Sequence, residues 1–69
     1  MEALRISLKA ARINAQLSQK CAAQQLGISI ATLQNYENGR TVPNWDMVKK
    51  IESLYRLSAD YICFTSNYA

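Results

Sequence analysis

Ile30, Ala31, Gln34, Asn35 and Asn38 have side chains suited to recognising flat polar edges, and they recur at helical spacing. At 100° per residue they fill an arc of about 140° on one side of a helix, with Leu33 and Tyr36 together on the other. A helix facing only water would normally carry Lys and Glu on such an arc, and none is present in it. Carboxamides can bond adenine bidentately, and Ile or Ala can touch a thymine methyl, so the chemistry is that of close contact with base edges. An ordinary amide-rich surface helix is the alternative that this segment alone leaves open.

The elements that must hold this arc are legible around it. An apolar residue, a serine and a second apolar residue four positions on occur at Leu17-Ser18-Ala22, Ile28-Ser29-Leu33 and Leu57-Ser58-Ile62. In each, the serine oxygen can accept from an unpaired backbone N–H while the apolar pair fixes the angle at which the chain enters a helix. A helix is therefore predicted over Gln19 to Leu26, with Ala22, Ala23 and Leu26 inward, ending where Gly27 can turn left-handed. The next helix, about residues 29–38, begins within two residues and ends at Gly39. Two helices across so short a turn make a helix-turn-helix.

Before this pair, Leu4, Leu8, Ala11 and Ala15 form the inward stripe of a first helix from about Glu2 to Ala15, with Ile6 and Ile13 nearly opposite. After it, Arg40 to Pro43 cannot continue the helix, and Asn44 caps a fourth helix through Tyr55. Trp45, Met47, Val48, Ile51, Leu54 and Tyr55 share one half of that helix, with Trp45 expected to anchor the core. Glu52 falls within this apolar half, and Arg56 is its expected partner. A fifth helix is expected from Ala59 to about Phe64, then a frayed tail over residues 65–69. Tyr55, Tyr61, Phe64 and Tyr68 exceed the evident needs of so small a core, and some of them suit a self-association surface.

Composition excludes several classes of function. A chain of 69 residues makes one small domain, and 49% hydrophobic residues with two glycines and one proline are too apolar for disorder. No apolar run approaches the roughly 18 residues of a membrane span, so a cytoplasmic protein is expected. Cys21 and Cys63 are the only cysteines and there is no histidine; reduced thiols, no metal site and no cofactor are expected. Without histidine, a Gly-rich phosphate loop or carboxylates spaced to share a site, no enzyme is expected. A net charge of +3 is compatible with a polyanionic partner and equally with ordinary solubility.

The run LSQKCAAQQLGISIATLQNYENGRTVP resembles the helix-turn-helix of the Cro and phage-repressor type, also called the lambda-repressor-like or XRE family. Its most specific pieces are Leu17-Ser18-Gln19, Ala23, Leu26-Gly27-Ile28-Ser29, Thr32-Leu33, Tyr36-Glu37-Asn38-Gly39 and Pro43, within a match covering about residues 4–64. The resemblance implies an all-α, compact five-helix domain over residues 1–64, with the helix-turn-helix formed by helices 2 and 3 and the third helix in the major groove. Carried over, it puts Ile30, Ala31, Gln34 and Asn35 toward base edges. Gln19, Thr32, Asn38 and Arg40 would meet the phosphate backbone, Gln19 also bracing the third helix, and Arg12 would pair with Glu37. The chain departs from the family at Ile30 and Ala31, where many relatives are polar or basic, at Ala22 for leucine, at Glu52 for a small apolar residue and at Arg56 for glycine.

The expected mechanism is electrostatic docking through Ser18, Lys20 and Arg40, with Arg12 and Lys9 as further candidates and with backbone N–H groups at helix starts, followed by readout. With no Arg or Lys on the reading face, A·T-biased half-sites are expected. The expected partner is a pseudo-palindromic double-stranded operator bound by a homodimer, with half-sites about 34–36 Å apart and no membrane or small-molecule substrate involved. The competing class is a protein-binding module of the same fold, such as part of a toxin-antitoxin or larger regulatory complex, using Ile6, Ile13 or the aromatic end.

Overall fold

Four serines and an asparagine start the helical elements. The computed structural model describes residues 5–64, in the order β1 (Ile6–Ser7), α1 (Leu8–Asn14), α2 (Gln19–Leu26), α3 (Ile30–Glu37), α4 (Trp45–Tyr55), a 3-10 turn (Ala59–Tyr61) and β2 (Ile62–Cys63). Ser18 Oγ accepts from Cys21 N and Ser29 Oγ from Thr32 N, each at 3.0 Å, and Asn44 Oδ1 accepts from Met47 N at 2.8 Å. Each satisfies one of the N–H groups that a helix start leaves unpaired. Gly27 ends α2 at φ 75°, and Ile28 N donates to Ala23 O at 3.0 Å, the pairing that lets the chain reverse into α3 at once.

The first helix is shorter than its sequence pattern predicts. Ser7 Oγ accepts from Ala10 N at 3.0 Å, so the helix begins at Leu8, not Glu2, and Ile6–Ser7 is extended. Leu8 and Ala11 are buried and Ala15 is half-buried, whereas Leu4 lies outside the described residues.

The fold is mostly helical with four α-helices, and the expected fifth is corrected. Ser58 Oγ accepts from Asp60 N at 3.2 Å, two residues on, which tightens the chain into one 3-10 turn. Ile62 then extends (φ −116°, ψ 132°), and β2 pairs in parallel with β1, Ile6 opposite Ile62 and Ser7 opposite Cys63. Six residues are too few to sustain a helix without strong packing, and Ile62, β-branched, fits the pleated pairing better. The expected frayed tail, and Tyr68 with it, lies outside the described residues.

Leu8, Ala11, Ala22, Ala23, Leu26, Leu33, Ile51, Tyr55 and Ile62 form the core, with Leu17, Ile28, Tyr36, Met47, Leu54, Leu57 and Phe64 packed against it. The small side chains of Ala22 and Ala23 let α2 sit between α3 and α4, both of which it contacts. Trp45 is not a core anchor: it is 71% exposed at the first position of α4, with Lys49 Nζ 5.1 Å from its ring centroid. Nor does Glu52 pair with Arg56. Its Oε2 accepts from Ala59 N at 2.6 Å and its Oε1 lies 3.7 Å from Lys49 Nζ, while Arg56 turns left-handed at φ 57° to end α4. No disulfide joins Cys21 and Cys63. No helix among the described residues is long and apolar enough to cross a membrane, and no group of side chains among them could hold a metal ion.

Candidate nucleic-acid interface

The aim of α3 depends on a carboxylate at its own C-terminal end. Glu37 stands there against the negative end of the helix dipole, an unfavourable place unless a cation meets it. Arg12, reaching from α1, supplies that cation: its Nε donates to Glu37 Oε2 at 2.7 Å, and the two side chains are only 8% and 3% exposed. Arg12 Nη1 also donates to Leu17 O at 2.8 Å, in the loop that leads into α2. A charge pair this dry is worth keeping only if its remaining hydrogen-bonding capacity is also met. So committed, Arg12 cannot serve as the phosphate contact that charge alone admits.

The second oxygen of Glu37 carries the network outward. Gln19 Nε2 donates to Glu37 Oε1 at 3.0 Å, and Gln34 Nε2 donates to Gln19 Oε1 at 3.3 Å. Four side chains from three helices thus run from a buried guanidinium to an exposed amide on α3. The bond between Gln19 and Gln34 has no signature in the sequence beyond two amides on facing helices.

On the underside, Tyr55 of α4 is 2% exposed, and its hydroxyl makes no hydrogen bond among the described residues. Burial pushes its phenol up to about 12, the Glu37 charge adds to the rise, and Arg12 partly opposes it. The Tyr55 phenol therefore feels the charges of the same ion pair. The sequence placed Tyr55 on the apolar half of α4 but did not reveal this neighbour.

On the outer side, Ile30 is 41% exposed, Ala31 and Gln34 are exposed, and Asn35 is half-buried. Asn35 O accepts from Arg40 N at 2.9 Å, but its side-chain amide makes no hydrogen bond among the described residues. Asn38 and Arg40 are exposed where α3 ends, and Thr32 is half-buried with its Oγ1 2.9 Å from Ser29 Oγ. At the start of α2, Lys20 is exposed, as is Ser18, whose oxygen is engaged in capping. Neither Lys20 nor Arg40 pairs with an acid among the described residues. Lys9 is exposed on α1. The arrangement is a neutral amide and methyl surface, with cations that no acid pairs among the described residues at the start of α2 and beyond the end of α3.

A helix-turn-helix family model matches residues 8–62. Over 55 residues the chain is 42% identical to the HTH-type transcriptional regulator ImmR of Bacillus subtilis (strain 168), an alignment covering 80% of this chain and 43% of that protein. The chain thus spans less than half the length of the curated relative it matches. No solved structure matches significantly.

Proposed function

The chain belongs to the Cro and phage-repressor type (XRE) family of helix-turn-helix proteins, and from that premise we propose that it binds double-stranded DNA sequence-specifically as a transcriptional regulator. The observation that carries the proposal is the asymmetry of α3. Its Glu37 is locked to Arg12 and Gln19, while Ile30, Ala31, Gln34 and Asn35 lie along its open side. Rigid elements that present a few polar groups are what base readout requires. Within this reading, α3 enters the major groove and Ser18, Gln19, Lys20, Thr32, Asn38 and Arg40 meet phosphates. The chain acts in the cytoplasm as a repressor of phage or mobile-element type, and two copies occupy a pseudo-palindrome with half-sites about 34–36 Å apart.

Selection of bound sites from random duplex DNA, followed by affinity measurement across salt concentrations, tests this directly. A·T-biased half-sites with affinity falling steeply as salt rises are expected. Binding that ignores both sequence and salt would instead favour the protein-binding reading. For that role Ile13, 56% exposed, and Ile6, 37% exposed, are the available apolar contacts, with Tyr61, 48% exposed, at the aromatic end.

A further inference from the structure

Where α2 meets α4, an open groove of about 540 Å³ is lined by Gln25 and Leu26 of α2 and by Lys49, Lys50, Ser53 and Leu54 of α4. Leu26 is buried and Leu54 half-buried, so the floor is apolar, while Gln25, Lys49, Lys50 and Ser53 are exposed along the rim. Lys49 shares its charge between Glu52 Oε1 at 3.7 Å and the Trp45 ring. Lys50 pairs with no acid among the described residues, although Asp46 stands one turn before it on the same helix. Gln25 Nε2 donates to Cys21 Sγ at 3.4 Å, which leaves its Oε1 for an outside donor. None of these groove residues belongs to the outer face of α3 or to the cations beside it. Gln25 lies about 8 Å along α2 from Lys20 and about 140° round it, so the groove opens on a different side from the start of α2.

We propose that this groove is a docking site for an acidic amphipathic helix of a partner protein. Two helices already form its walls, and a third laid between them buries an apolar stripe, a common mode of helix recognition. From Lys49 to Leu54 is about 8 Å of helix, room for two apolar anchors one turn apart. Carboxylates beside those anchors meet Lys49 and Lys50, so an acidic helix is drawn to this rim and a basic one repelled. Floor and rim together select the occupant. Duplex DNA satisfies the lysines but sets nothing apolar against Leu26 and Leu54, and a small molecule would lie in a groove too open to bury most of its surface. A second copy of the chain offers no acidic helix. Its α1 and α2 carry no acid, Glu37 of α3 is buried with Arg12, and Glu52 of α4 is engaged on Ala59 N.

The test uses the full chain and a synthetic helical peptide of about fourteen residues, with leucines in an i, i+4 stripe bordered by glutamates. Backbone amide shifts are followed in titrations with this peptide, with its lysine-for-glutamate counterpart and with duplex DNA. The acidic peptide is expected to shift residues of α2 and α4 around Leu26 and Leu54, and the basic one to leave them in place. Ser53 is exposed, so Ser53→Glu puts an acid in the groove without touching the core and should weaken the acidic peptide at least about fivefold, as should Lys50→Glu. Ser53→Gln separates charge from bulk and is expected to stay within about twofold of the wild type. Equal binding of the two peptides, shifts centred on another face, or no shift at millimolar peptide overturns the proposal. So does duplex DNA that moves the same amides, because the groove is then a phosphate contact. The outcome is independent of whether α3 reads DNA. A chain that takes the peptide but enriches no site loses the DNA-binding reading and keeps the groove, and the reverse result does the opposite.

Discussion

The two left-handed turns that bracket α3 are glycines, Gly27 at φ 75° and Gly39 at φ 77°, whereas the turn that ends α4 is made by Arg56 at φ 57°. The contrast extends to what holds each region. The α2–α3 unit is tied to α1 by a buried ion pair, Arg12 also holds Leu17 O in the loop before α2, and Gln19 joins α2 to Glu37 of α3, with left-handed glycines at both ends of α3. The segment after α4 is closed by a single carboxylate on Ala59 N, one 3-10 turn and a two-residue strand pairing. α3 is held by a buried pair in which removal of either partner leaves a charge without its counter-charge. A segment that only covers the core tolerates strain.

The strongest way to break this contrast is to remove Glu37. Glu37→Ala leaves Arg12 buried without its counter-charge and should destabilise the domain by about 3–5 kcal/mol, a large part of the roughly 5–15 kcal/mol that a domain commonly has. In thermal unfolding the midpoint should fall by at least about 12 °C. A fall of under about 4 °C would mean that the pair does not hold α3.

Tyr55 probes the same pair from below. Its phenol ionises near 12 in the folded state against 10 unfolded, so the neutral form is favoured by folding. The associated stability is fully present below pH 10 and is lost as pH rises toward 12, by about 2–3 kcal/mol. Urea unfolding at pH 9 and pH 12 should show this loss in the wild type and correspondingly less in Tyr55→Phe, whose remaining loss comes from other groups. Equal losses would show that the hydroxyl does not sense burial beside Glu37.

The outer face should respond in binding instead of folding. Asn35→Ala, with no side-chain hydrogen bond to lose among the described residues, is expected to cost about 1–3 kcal/mol of DNA affinity and relax one position of the selected site. Arg40→Ala should weaken binding to all sequences alike and reduce the salt slope by about 1. Identical site profiles for the two variants would erase the division between reading and anchoring residues.

How legible each region was follows from the range of its interactions. Ser18, Ser29, Asn44 and Gly27 act within four residues of themselves, and the sequence places the α2–α3 turn and the start of α4 correctly. The same local pattern exists at Ile6-Ser7-Ala11 and marks the start of α1, but the helical stripe through Leu4, Leu8, Ala11 and Ala15 runs past it and conceals it. The β1–β2 pairing joins residues 56 positions apart, and neither strand carries a pattern longer than two residues, so nothing local announces it. Trp45 shares the apolar face of α4 yet lies beyond the core, because periodicity gives the face of a helix but not where along the helix the core stops. The outward amides were legible as a set; their mutual bonding was not, since it depends on a buried charge brought from α1.

The smallest expected effect tests whether the backbone contrast is energetic or merely compositional. An L-residue in the left-handed region costs about 1–2 kcal/mol, and replacing it by glycine returns part of that through greater freedom of the unfolded chain. Arg56→Gly should therefore stabilise by about 0.5–1 kcal/mol after loss of a favourable cation near the end of α4, raising the midpoint by about 2–8 °C. Gly27→Ala is the reciprocal change. A Cβ there would meet no atom within 4 Å, so its destabilisation, again about 1 kcal/mol, isolates backbone strain from crowding. If Arg56→Gly brought no gain while Gly27→Ala brought the full loss, the turn after α4 would not be strained by its side chain. The difference between the two regions would then lie wholly in the buried network that aims α3.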